Sequence, residues 1–107
     1  MQIKTKLVPK GFDAITCFPF ILMRPEVAGD AALIAHEMVH YREQKASWVI
    51  PWLLRYLLSH EFRYQAELRG YRVQVELGGI TREGAAQMLC QYGLGVTYDD
   101  ALAALAA

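Results

Sequence analysis

Cysteine is scarce in this 107-residue chain: only Cys17 and Cys90 occur, far apart and in no CxxC pair. That excludes a disulfide scaffold or a Cys-rich zinc site as the organising principle, and leaves two buried thiols in a reducing compartment as the expectation. Charge of one sign is also lacking, with 11 Lys+Arg against 11 Asp+Glu. Without a basic excess nothing draws a phosphate backbone or an anionic membrane surface, so no nucleic-acid partner is expected. Long hydrophobic runs are missing too. Trp48 to Leu58 is very apolar, but Pro51 and Arg55 interrupt it and it falls short of the ~20 residues a membrane span needs. Lys4, Lys6 and Lys10 precede an apolar patch, yet Ile15 to Met23 is β-rich, contains Pro19 and ends at Arg24, unlike a secretory signal. A cytoplasmic protein without a membrane span is the expectation. No internal repeat or low-complexity linker divides the chain, so residues 1–107 read as a single domain.

What the chain does have is a globular composition, 54% hydrophobic and 21% charged. Ile3 to Val8 alternates as a half-exposed strand does, and Ala14 to Met23 reads as a more buried strand with Pro19 forcing a bulge or an edge position. Asp30 caps a helix running to about Trp48, Pro51 breaks or restarts the pattern, and a second apolar helix reaches about Leu58. Ser59 caps a third helix that stops at Gly78 and Gly79. Thr81 and Thr97 cap two short helices, roughly Arg82 to Tyr92 and Tyr98 to Ala106. The fold class is therefore α+β: a small N-terminal β-sheet, then a motif-bearing helix and a helical C-terminal half.

One segment rises above composition: His36-Glu37-Met38-Val39-His40, an HExxH sequence. Residues four apart stack on one helix face, so both imidazoles can reach one metal ion. Glu37 lies about 100° round from His36, placed to hydrogen-bond a metal-held water without becoming a ligand. Leu33 and Gln44 share the histidine face. Ile34, Met38 and Tyr41 lie on one flank and Ala35, Val39 and Ala46 on the other, so the helix should be buried between layers.

HExxH supplies two ligands, and a catalytic zinc usually takes three. Glu67, Glu61 and His60 are the alternatives for the third. Glu67 shares a face with Arg63, Tyr64, Gly70, Tyr71 and Gln74, whereas Glu61 points about 120° away and suits the helix start as a first-turn anion. Gly70, one turn after Glu67, would let this helix approach another backbone closely.

His36-Glu37-Met38-Val39-His40, with Glu67-Leu68-Arg69-Gly70-Tyr71 downstream, resembles the gluzincin type of zinc metallopeptidase, above all its minimal single-domain members from bacteria or phages. The resemblance covers roughly residues 12 to 77 and implies a zincin-like fold. It implies Zn2+ as cofactor, His36 and His40 as ligands, a downstream glutamate (here Glu67) as third ligand, and Glu37 as general base. The implied reaction is hydrolysis of a peptide or protein substrate paired along the strand Ala14 to Met23. Larger gluzincins often place an Asp four residues after the ligand glutamate, where this chain has Tyr71, so a partner for a ligand histidine is unassigned. Oxyanion donors by position are His60, Tyr64 and Tyr71.

Other readings stand beside this one. A zinc-stabilised interaction module could keep the site without turnover. Glu37-x-x-His40 is also the unit of di-iron bundles, but no second Glu-x-x-His occurs. The Arg55, Arg63, Arg69 and Arg72 series is interleaved with Glu61, Glu67 and Glu76, as on a solvated helix. The Trp48 to Leu58 stretch reads as core packing, the alternative being a homodimer, protein-partner or membrane-surface patch.

Overall fold

The structure, a computed structural model, describes residues 1–92 and 95–107. Three short strands, β1 (Gln2–Lys4), β2 (Ala14–Cys17) and β3 (Phe20–Met23), form one sheet ordered β1-β3-β2. Among the described residues a 3-10 turn (Pro25–Val27) and five α-helices follow: α1 (Ala31–Ser47), α2 (Val49–Leu58), α3 (His60–Glu76), α4 (Arg82–Leu89) and α5 (Tyr98–Ala106). The protein is α+β, with the sheet N-terminal and the helices behind it.

The sheet departs from the sequence expectation in two places. Ala14 to Met23 is not one bulged strand but a hairpin, reversing at Phe18-Pro19, with β2 antiparallel to β3 and Ala14 opposite Met23. Pro19 has no N–H for a ladder, so the chain turns there, and the reversal puts Ala14, Ile21 and Met23 into one buried apolar cluster. β1 pairs parallel to β3 but ends at Lys4 rather than Val8. The chain beyond it turns, with Leu7 donating its N–H to the Thr5 hydroxyl. Arg24 holds the loop that follows, donating to the carbonyls of Val8, Pro9 and Phe12.

Helix starts agree with the capping chemistry. Asp30, Ser59, Thr81 and Thr97 each accept a backbone N–H three residues on, from Leu33, Phe62, Gly84 and Asp100. Gly78, just past the end of α3, has φ 75, the left-handed conformation that terminates helices. Pro51 does not break α2; it falls in the first turn, where a missing N–H costs nothing.

The helices pack as layers. On its sheet side α1 sets Ile34, Met38 and Tyr41 against the hairpin cluster, while Ala35 and Val39 are half-buried and Ala46 is exposed. Beside Ala32, the buried positions of α1 are thus polar: His36 and His40 are turned to α3, Glu37 and Gln44 to β2 and the hairpin turn. The far side of α3 carries Tyr64 and Leu68 into a second apolar cluster with Ala85, Ala86, Leu89 and Ala101 from α4 and α5. A buried polar layer therefore lies between two apolar ones. Cys17 is exposed and Cys90 half-buried, not two core thiols: Cys17 alternates with buried Thr16 at the end of β2.

Candidate metal centre

Three side chains from two helices converge in the polar layer. Glu67 Oε1 lies 2.9 Å from His36 Nε2 and 3.3 Å from His40 Nε2. All three residues are buried, and one donor atom of each lies within 4.8 Å of the others. Tetrahedral donors held at ~2.1 Å from one zinc stand about 3.4 Å from each other, so the donor set and its spacing fit a three-ligand site. Of the alternatives for the third ligand, His60 and Glu61 are exposed; His60 neighbours Arg63, and Glu61 accepts from Gln65. Glu67 joins the histidines because it is on the face of α3 that packs on α1.

That approach depends on Gly70. A Cβ there would fall 2.6 Å from the His36 ring, far inside contact distance, so the close approach is to an imidazole rather than to backbone. The neighbouring Tyr71 ring meets His36 edge-on, with centroids 4.5 Å apart.

Each member is oriented by residues that spacing alone does not single out. Gln74 Oε1 accepts from His36 Nδ1 at 2.8 Å, leaving Nε2 to face the cluster. It is the histidine's partner that Tyr71 cannot supply, and it lies two turns beyond Glu67 on the same face. The Tyr56 hydroxyl donates to Glu67 Oε2 at 2.6 Å. His40 Nδ1 is buried without a partner among the described residues, while Trp52 packs on its ring at 5.5 Å. Burial alone would lift the Glu67 carboxyl, but the hydrogen bonds and charge of His36 and His40 hold it well below the usual carboxylate range. Burial likewise opposes charge on His40, and the Glu67 hydrogen bond and charge overcome it, raising the imidazole. Burial and then the Glu67 charge push the Tyr56 phenol far up, so it stays a neutral donor.

Glu37 borders the triad without joining it, its Oε2 3.8 Å from His36 Nε2. Thr16 on β2 donates its hydroxyl to Glu37 Oε1 at 2.8 Å and fixes the carboxylate. Gln44, one turn after His40 and fully buried, clamps the same strand: its amide donates to Thr16 O at 2.9 Å and its oxygen accepts from Phe18 N at 2.7 Å. The helical period puts Gln44 on the histidine face but does not reveal this clamp.

A cleft of about 510 Å³ opens beside the cluster, with His36, Glu37, His40 and Glu67 in its wall and β2 along one side. Its remaining surface is largely apolar, including Phe12, Leu53, Leu57, Ile80 and Met88. Of the three oxyanion donors expected from position, only Tyr71 lines this cleft. Tyr64 is in the apolar cluster behind α3, and His60 faces solvent at the start of that helix. Tyr56, on a different helix, lines it instead. Burial first, then Tyr92 and Glu67, raise the Tyr71 phenol, so it too remains protonated.

Comparison with known protein families, curated proteins and solved structures finds no match. The functional reading therefore rests on the site itself.

Proposed function

We propose that the protein is a zinc-dependent peptidase, with His36, His40 and Glu67 as metal ligands and Glu37 as general base. The observation that carries this reading is the convergence of two imidazole Nε2 atoms and one carboxylate oxygen at 2.9 and 3.3 Å, with a second, non-ligating carboxylate 3.8 Å from His36 beside an open cleft. Two imidazoles and a carboxylate favour zinc over harder cations. When bound, zinc would supply a Lewis acid and a water acidified to near pH ~7. Glu37, held by Thr16, would take the proton from that water and hand it to the leaving amine. Tyr71 is the neutral phenol in the cleft wall to serve a developing oxyanion, since the Tyr56 hydroxyl already donates to Glu67. A peptide pairing with the exposed edge of β2 would be limited at one end, because Gln44 already occupies Thr16 O and Phe18 N.

Glu37→Gln tests the assignment. Its expected result is zinc binding equal to the parent, with zinc-dependent peptide cleavage lost. If the parent binds one zinc but cleaves nothing across a broad peptide library, the reading passes to a zinc-stabilised interaction module. If neither form binds zinc, the metal assignment itself fails.

A further inference from the structure

α2 is apolar on both sides. Trp52 is buried against His40, and Tyr56 and Leu53 face the cleft. On the opposite side Ile50, Leu54 and Leu58, spaced as one helical stripe, are 71%, 51% and 80% exposed. Leu57 beside them and Trp48 at the joint with α1 are also largely exposed. A helix that is hydrophobic all round is ordinarily covered on all sides, yet none of the described residues covers this face. Trp48 adds a second departure. Its φ of 72 is in the left-handed region that bulky side chains rarely adopt, and with the residue 80% exposed little burial offsets that strain.

Along α2 and its flanks the charge has one sign as far as Glu61, which is exposed at the start of α3 and accepts from Gln65. From 44 to 60 the sequence has no Asp or Glu, but it has Lys45, Arg55 and His60. Arg55 is three residues before Leu58, on the edge of the stripe, and neither it nor Lys45 has a carboxylate within ion-pair distance among the described residues. Glu43, the nearest preceding acid, is engaged by Arg69 and Trp52. The acids collect elsewhere: from residue 73 onward Glu76, Glu83, Asp99 and Asp100 stand against Arg82 alone. The zero net charge therefore hides a cationic stretch of sequence around the apolar face and an acidic excess in the C-terminal third. In a two-fold contact between copies of this stretch, its cations would meet one another with no acid from residues 44–60 to pair.

We propose that α2 is an interfacial helix that seats this protein on an anionic lipid surface. Ile50, Leu54, Leu58 and Trp48 enter the headgroup–acyl boundary, while Lys45 and Arg55 lie among the lipid phosphates. Leu57, which also lines the cleft, places the cleft mouth beside the docked face. The docking is independent of the metal reading, since none of these side chains belongs to the triad.

The test is co-sedimentation of the full chain with vesicles of phosphatidylcholine containing phosphatidylglycerol, against phosphatidylcholine alone, with oligomeric state followed by analytical ultracentrifugation. The expected result is binding to the anionic vesicles, weaker by about tenfold or more on neutral ones and in high salt. L54Q/L58Q should lose most of the binding with its circular dichroism unchanged. Should that variant misfold, Arg55→Glu, which alters only a solvent-facing charge, should weaken binding to anionic vesicles by about tenfold and leave binding to neutral ones alone. No binding to anionic vesicles overturns the proposal. So does a lipid-independent dimer that L54Q/L58Q returns to monomer, which would assign the face to a second copy.

Discussion

The α1–α3 layer and the outer face of α2 break the same rule in opposite directions. On the inner faces of α1 and α3 the chain buries two imidazoles, two carboxylates and two amides; on α2 it exposes Ile50, Leu54, Leu57 and Leu58. Folding alone favours neither. Desolvating a carboxylate is costly unless it is paired, and even a well-made buried pair often does no better than apolar packing. Leaving a leucine in water forgoes about 25 cal/mol per Å² of apolar area that could have been buried. In the first region, however, nearly every polar atom has a named partner: Gln74 for His36, Tyr56 for Glu67, Thr16 for Glu37. In the second the side chains are half or more exposed. The contrast teaches that a built site can be read from the chain's own contacts, whereas a docking face is recognised by what those contacts omit.

The sharpest way to break this comparison is metal itself. Zinc at a thousandfold over its dissociation constant should stabilise the parent by about 4 kcal/mol, seen as a higher melting temperature that a chelator reverses. Glu67→Ala should abolish the zinc-dependent part of that shift. A parent whose melting is indifferent to zinc would reduce the polar layer to a hydrogen-bond network. Next in size is Gly70→Ala, whose methyl would intrude on the His36 ring and should cost about 1–3 kcal/mol in thermal or urea denaturation, with weakened zinc binding. Gln74→Leu should leave the fold standing but lower zinc affinity by about 10–100-fold in chelator competition, because the His36 ring loses the acceptor that orients it. The smallest effect is expected on α2. Leu54→Gln should change stability by less than about 0.5 kcal/mol, against about 2–5 kcal/mol for Leu68→Ala in the apolar cluster behind α3. A large loss from Leu54→Gln would show that its face is covered after all.

Much of the helical frame is legible in the residues themselves. Asp30, Ser59, Thr81 and Thr97 cap where their chemistry says they should, because a cap is a contact across three residues. The hairpin is not legible: Ala14 to Met23 has the apolar content of one strand, and pairing Ala14 with Met23 is a long-range choice that local propensity does not register. Tyr56 and Thr16 are invisible for the same reason, since each reaches the site from another element. Gln74 has a signal in its helical phase with Glu67. Whole-chain charge says least about the surface, because a sum of zero does not tell where the eleven charges of each sign are placed.

By itself, then, the sequence determined that two imidazoles four residues apart face one way with a carboxylate beside them, and that Glu67 lies on a helix face with Gly70 and Gln74. Those are properties of one helix at a time, set by its 3.6-residue period. Only the tertiary structure decided that Glu67 rather than Glu61 or His60 meets the histidines, that Gln74, Tyr56 and Thr16 hold the cluster in place, and that the outer face of α2 goes uncovered. Each of those depends on how α1, α2, α3 and the hairpin dock. Docking is set by the sum of many weak contacts between distant segments, which no local pattern contains.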